Sequence, residues 1–420
     1  MPATRRVIDR WVPRRRPPPR RGTPLLLAAL LLASACATYE VTPPRDPTLA
    51  ATVDEISLEA MKTYKLKSMI VRVTMGGSDV YTGAFGVSMT GVPATTTMRF
   101  RNGAFAYSYL GYITAQLAAE EVFSVDDTID RWVPELPRAD QVTVGDLPHS
   151  TSGYSDYVYS DEVSNAVYLD PFRQWTSDEL IQIGVNGPEQ FAPGTNWGYS
   201  HTNFSVLGRV LERATGTSLH QLMDTYVFGP MRLRATGDNG NTPAIPEPAQ
   251  HSFTSERRAA LQVPAAIPFY EDSTYWNPSW TGPAGAVQTS NIFDVATSIE
   301  LIGSGALVSP KAHALQVTKQ LLGSKDPRCS ACRPLTEEFS YGMGVELQKD
   351  WIVQTKEFVG SDVTAGYLPA KKLTIAIAVT LLPEAFDAEG NPPPNVVRYI
   401  FRDLAVALGG ADTLPPLPSG

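Results

Sequence analysis

Apolar positions along this chain change their period four times. Residues 49–62 carry them at the spacing of an amphipathic helix. The stretch "SMIVRVTMGGSDVYTGAFGVS" follows, two β-rich runs about Gly76-Gly77, and predicts a hairpin. From Ala104 the period lengthens again. Phe105, Tyr109, Ile113 and Leu117 recur every four residues and predict a helix with one buried face. The middle of the chain is rich in turns, proline and short helical patterns; "NFSVLGRVLERATG" is its clearest helix, with Gly216 as the stop. The last third returns to strands in "WIVQTKEFVG", "SDVTAGYLP" and "LTIAIAVTLL", then to a helix at 393–408. There are no internal repeats. Strands at both ends with a helical middle predict an α/β (α+β) fold. Its antiparallel sheet is formed by the N- and C-terminal segments and flanked by helices, and a mainly helical lobe at roughly 120–290 is inserted into a domain spanning 51–408.

The chain's beginning does not belong to that pattern. The first 22 residues hold eight arginines and one aspartate, and "PLLLAALLLASAC" follows. This apolar run is too short to span a bilayer and has the build of a signal peptide, assigned to 1–35. Ala33 and Ala35 suit signal peptidase, and Cys36 in the next position matches a lipoprotein cleavage site, with Leu32 one place early. Cys36 is therefore expected as the first mature residue and as a lipid attachment point. Residues 36–50 would be a tether, and the expected location is the cell envelope, at the outer face of the plasma membrane. The tail 409–420, "GGADTLPPLPSG", is expected to be disordered.

Composition narrows the function. Charged residues make up 19% and hydrophobic residues 43%, ample for a folded core. The chain's net charge of −8, less the leader's +7, leaves about −15 for the mature form, which argues against nucleic acid as a partner. Two cysteines remain, Cys329 and Cys332 in "RCSACR"; in an exported protein they are expected to pair as a local disulfide. No His or Cys lies close enough in sequence to complete a zinc site, and neither a metal nor a cofactor is called for.

Six segments in order carry a resemblance: "FRNGAF", "AQLAAEEVFSVDDTIDRWVPELP", "VTVGDLPHSTSGYSDY", "FAPGTNWGYSHTNFSVLGRVLERATG", "GPAGAVQTSNIFDVA" and "YGMGVELQ". Together they resemble the penicillin-recognising serine hydrolases, the family of class C β-lactamases, DD-peptidases and related esterases, over roughly 55–405. The resemblance implies a β-lactamase/transpeptidase-like fold and acyl transfer. In that chemistry a Ser at the start of a helix attacks a carbonyl, and a Lys at i+3 takes the proton. Here the Ser position is Ala104 and the Lys position is Tyr107. The motif has not moved, because none of the ten lysines has Ser, Thr or Cys three residues before it. The second motif, Tyr-x-Asn in the family, reads Tyr199-Ser200-His201. The third, a polar pair and Gly on an inner strand, matches Phe358-Val359-Gly360 and keeps only Gly360.

Two readings follow. In the first, the protein has lost the standard serine acyl transfer and binds a peptidoglycan-derived peptide or a small acyl ligand in the old cleft. In the second, it is an amidase or esterase with a rearranged site using Tyr199, with His201 or with Ser108 as a displaced nucleophile one turn below Ala104. Tyr199 and His201 could equally pack the lobe interface. Ser152 and His149 read as structural residues of their loop. No Gly-x-Ser-x-Gly elbow occurs, which argues against an α/β-hydrolase.

Overall fold

The computed structural model describes residues 46–416 apart from 239–241, 323–328 and 330–331. The segment expected to be a signal peptide and Cys36 lie outside the described residues, as does 417–420. Strands of the main sheet, numbered along the chain, are β1 (Leu66–Met75), β2 (Ser78–Met89), β3 (Val92–Pro93), β4 (Phe339–Tyr341), β5 (Glu346–Gln348), β6 (Trp351–Phe358), β7 (Ser361–Leu368) and β8 (Leu373–Leu381). They lie in the order β3-β2-β1-β8-β7-β6-β5-β4, every pair antiparallel. The first long strand therefore pairs with the last, Val71 opposite Ile377, and both ends of the chain build one sheet. Gly76 and Gly77 close the β1–β2 hairpin at φ +58° and +75°; a tight two-residue turn demands positive φ at both positions, which glycine takes without strain.

The helices that matter here are α1 (Pro47–Thr63), α2 (Phe105–Ala119), α3 (His201–Thr215), α4 (Ile292–Ser304) and α5 (Val396–Gly409). β8 shows why the layers form. Ile375, Ile377 and Val379 join one core with Val53 of α1 and Ile400 and Leu404 of α5. The alternate residues Ala376 and Ala378 join the other core, with Val295, Ile299 and Ile302 of α4. A strand covered on both faces carries an unbroken apolar run, with side chains sorted left and right by the pleat. The helical lobe occupies the stretch between α2 and α4, and α3 packs against α2.

Three expectations change. The tether expected at 36–50 ends early: Asp46 caps α1, whose helix starts at Pro47, with its side chain accepting from Thr48 and Leu49 amides. The tail is ordered through its first part, where Ala411–Thr413 forms a 3₁₀ turn and Thr413 Oγ1 accepts from the Trp351 indole at 2.9 Å. Lastly, α2 is not one-sided: thirteen of its fifteen residues are buried. It packs against β6, α3 and the helix Pro310–Val317, so its period of four marks only part of a helix that is buried nearly all round.

Candidate functional site

The cleft is built at the start of α2, where a small sheet delivers the chain. Arg99–Arg101 pairs with Gln288–Asn291, which pairs in turn with Gly237–Asp238. Asn102 ties the turn down: its N–H donates to Gln288 O at 2.9 Å and its side-chain amide to Gln288 Oε1 at 3.1 Å. Gly103 then bends the chain at φ +53°, and Ala104 is the N-cap of α2. A Cβ on Gly103 would stand 2.2 Å from Lys356 Cγ, so only glycine lets β6 run this close to the turn. An N-cap normally satisfies the first free amides with a side-chain oxygen, but Ala104 makes no such bond. The position where the resemblance implies a nucleophile thus presents a part-buried methyl group.

One turn on, Tyr107 is 1% exposed. Its ring stacks parallel on Phe204 of α3 with centroids 4.0 Å apart, and stands edge-on to His201 at 5.8 Å and tilted to Tyr199 at 6.5 Å. Its hydroxyl donates to the Thr281 carbonyl. Beside it, Tyr157 donates to Trp280 O at 3.0 Å, and the Trp280 indole stacks on Phe358 at 5.5 Å. The segment Ser279–Thr281 is therefore tied to α2 by the Tyr107 hydroxyl, to the turn at Tyr157 by a second hydroxyl and to the end of β6 by a ring pair. Side chains and this segment occupy the space around Tyr107.

The structure brings Ala104, Tyr107, Tyr199 and His201 together. His201 Nδ1 lies 2.9 Å from Asp156 Oδ2, and its ring is also edge-on to Tyr199 at 5.2 Å. Burial pushes the Tyr107 phenol well above its ordinary value, with Tyr157, Tyr199 and Asp156 adding to the effect. The Tyr199 phenol is likewise raised, by burial first and then by Tyr341, Asp156, Tyr157 and Glu346. Both phenols stay protonated at neutral pH, so they can donate hydrogen bonds but cannot accept a proton as a base. Ser108 does not face this group: it is fully buried and its hydroxyl donates to Phe105 O at 2.6 Å. Ser152 donates to Asn203 Oδ1 within the lobe. His149 Nδ1 lies 2.8 Å from Gly145 O. Cys329 and Cys332 are joined by a disulfide and pack with Phe191.

Gly360 is not on the cleft strand. β6 ends at Phe358, and Val359-Gly360 form the turn into β7, with Gly360 at φ +78° against Phe253. That glycine answers to the turn's backbone, not to a ligand. The residue that β6 lays against the α2 turn is Lys356, which motif matching passed over. Lys356 is 1% exposed; its Nζ donates to Ser361 Oγ at 2.6 Å and to Ser361 O at 2.8 Å. A charged residue inside "WIVQTKEF", a strand otherwise buried up to Glu357, was the available signal. Tyr157 and Asp156 were also missed, having no motif to mark them.

Residues 53–395 match the family model described as Beta-lactamase. Among curated proteins the chain is similar to Esterase EstB of Burkholderia gladioli, 28% identical over 64% of this chain and 73% of that protein. It is also similar to penicillin-binding protein 4* of Bacillus subtilis, 28% identical over 38% of this chain and 36% of that protein. Among solved structures, a D-stereospecific amidohydrolase from Streptomyces sp. superposes with a TM-score of 0.68 at 22% identity, covering 84% of this chain and 98% of that one, a likeness of fold.

Proposed function

The chain belongs to the β-lactamase family, and from that premise we propose that this member has given up serine acyl transfer at the α2 turn and serves as a binding protein of the cell envelope. The observation that carries this reading is Tyr107. The family reaction needs a hydroxyl at the start of the helix and an amine one turn later, acting as a unit. Here the first position is a methyl group. The second is a fully buried phenol stacked on Phe204 and bonded to Thr281, so it fills the space an amine would occupy. Loss of a hydroxyl nucleophile alone costs a factor of roughly a million in turnover, about 8 kcal/mol of barrier. Tyr199, held protonated, and Ser108, bonded inside its helix, give no support to a hydrolase rearranged around them. The ligand class proposed is a peptidoglycan-derived peptide or a small acyl compound. An esterase and a penicillin-binding protein among the relatives favour it, and a lipid at Cys36 would hold the protein where such ligands occur.

The test is covalent labelling with a fluorescent penicillin. The unmodified protein is expected to give no labelled band and no β-lactam hydrolysis above background. The combined Ala104→Ser and Tyr107→Lys variant should recover weak labelling, and either single change much less. A penicilloyl adduct on the unmodified chain, at any residue, would overturn the reading.

A further inference from the structure

A recess of about 210 Å³ opens where the small sheet meets the lobe, and its lining includes none of Ala104, Tyr107, Tyr199 and His201. Three parts of the chain wall it: the residues leading into the helix Ser177–Val185, the strand end at Asp238, and residues 279–287. We propose that this recess binds a small organic ammonium ion, an apolar body of one six-membered ring carrying a protonated amine, with Asp238 as its counter-ion. This goes beyond the binding role assigned to the α2 cleft and does not depend on it.

The hollow is shaped by backbone. Gly282 and Gly285 border it without side chains. A Cβ on Gly285 would stand 2.9 Å from His220 N, and φ there is +93°, so glycine is required. Gly282 lies against the Tyr107 ring, where a Cβ would be 3.4 Å from Cε1. Hydrogen bonds brace the walls. The Trp175 N–H donates to Ser279 Oγ at 2.7 Å, Asn277 Nδ2 to Gln174 Oε1 at 2.9 Å, and the Ala284 N–H to Ser177 Oγ at 3.0 Å. A site already held open in this way loses little binding energy to ordering its walls.

Its chemistry selects the ligand. Trp175 and Val287, both buried, and Ala284 at the mouth supply apolar surface. Asp238 is the only charged side chain lining the recess among the described residues. Its strand Gly237–Asp238 pairs with Gln288 and Thr289, which fixes its place, and its side chain is 10% exposed. His220 Nδ1 lies 3.5 Å from its carboxylate, on a ring half exposed to solvent. A smaller adjoining recess shares Ser177 and Ala284 and adds Asp178, Glu212 and Arg209. Across the two recesses three carboxylates face one guanidinium, a field that repels anions and gathers cations. A neutral ring would desolvate Asp238 with no compensating charge, whereas an ammonium pairs with it while the ring covers the apolar wall. Size sets the upper limit. A void of about 150 Å³ admits one benzene, so this recess holds one ring and its amine, not a peptide of several residues.

The experiment titrates the full folded protein with cyclohexylamine in a calorimeter, with cyclohexanol as the uncharged molecule of matching shape. Saturable binding at one site is expected, with a dissociation constant on the order of 1 mM for a ligand of about seven non-hydrogen atoms. Cyclohexanol should bind at least about tenfold more weakly, and Asp238→Asn should weaken cyclohexylamine by a similar factor. Ala284→Trp, which fills the exposed mouth, should abolish the binding while melting like the parent. If Ala284→Trp does not fold, Asp238→Asn and the cyclohexanol comparison decide. No saturable heat up to about 20 mM, equal affinity for the two compounds, or unchanged affinity in either folded variant would overturn the proposal. Penicillin labelling tests the α2 turn alone, so the two readings can fail separately.

Discussion

Tyr107 shows how one substitution changes both chemistry and packing. As a lysine position it would need a polar pocket; as a tyrosine it supplies a ring to Phe204 and a hydroxyl to Thr281. Tyr107→Phe keeps the ring and should cost about 1 kcal/mol, one net hydrogen bond. Tyr107→Ala leaves a cavity between α2 and α3 and should cost about 3–5 kcal/mol, as for other buried aromatics. Urea melts of the two variants distinguish a packing role, with this ordering, from a merely tolerated residue, for which both would melt like the parent. The loss of chemistry at Ala104 and Tyr107 was legible in the sequence, since residue type alone decides whether a nucleophile exists. That Tyr107 would be sealed by Thr281, 174 residues away, was not. Nor was the meeting of Lys356 and Ser361, whose spacing of five residues depends on the β6–β7 turn.

At the scale of elements, Arg398 fastens α5 to the sheet, chiefly through Glu346 and more distantly, at 3.7 Å, through Glu357 on β6. Arg398 donates two bonds to Glu346 on β5, each of 2.7 Å. Burial alone would raise the Glu346 carboxyl, but the guanidinium, with Gln348 assisting, outweighs it and holds the carboxyl below its ordinary value. A depressed carboxyl contributes stability above its unfolded value of about 4.3, and that contribution is lost as pH falls through the folded value. Thermal melts should therefore show a loss of stability below about pH 4 that is smaller in Arg398→Ala. At pH 7 that variant should be weaker by about 2–3 kcal/mol, at the low end for a buried pair because the arginine is one-third exposed. Identical acid profiles for the two proteins would show the pair to be energetically idle. Elements themselves were mostly readable: the hairpin at Gly76-Gly77, the stop at Gly216 and the three C-terminal strands rest on local turn chemistry and period. The one-sided reading of α2 failed because burial from two sides is a property of its neighbours.

For the whole molecule, the pairing of β1 with β8 joins the first and last long strands of the domain, so neither end can be trimmed into the domain without opening its core. The leader and lipid proposed at Cys36 would set where that domain works. Cell fractionation is expected to find the mature protein with membranes, and Cys36→Ser should move it to the soluble fraction or leave the precursor uncut. A soluble parent protein without lipid by mass spectrometry would leave simple secretion.

By itself the sequence determined the element types, their order, the family and the absence of a serine–lysine motif at the α2 turn, because these follow from residue chemistry and from periods over a few residues. Tertiary structure alone decided what replaced that motif. It set Tyr107 among Phe204, His201 and Thr281, moved Gly360 out of the cleft into a turn, and carried Lys356 across Gly103 to Ser361. Each of those outcomes depends on which strands lie side by side and how closely two backbones can approach. Contacts of that kind join residues far apart in the chain, and no local pattern records them.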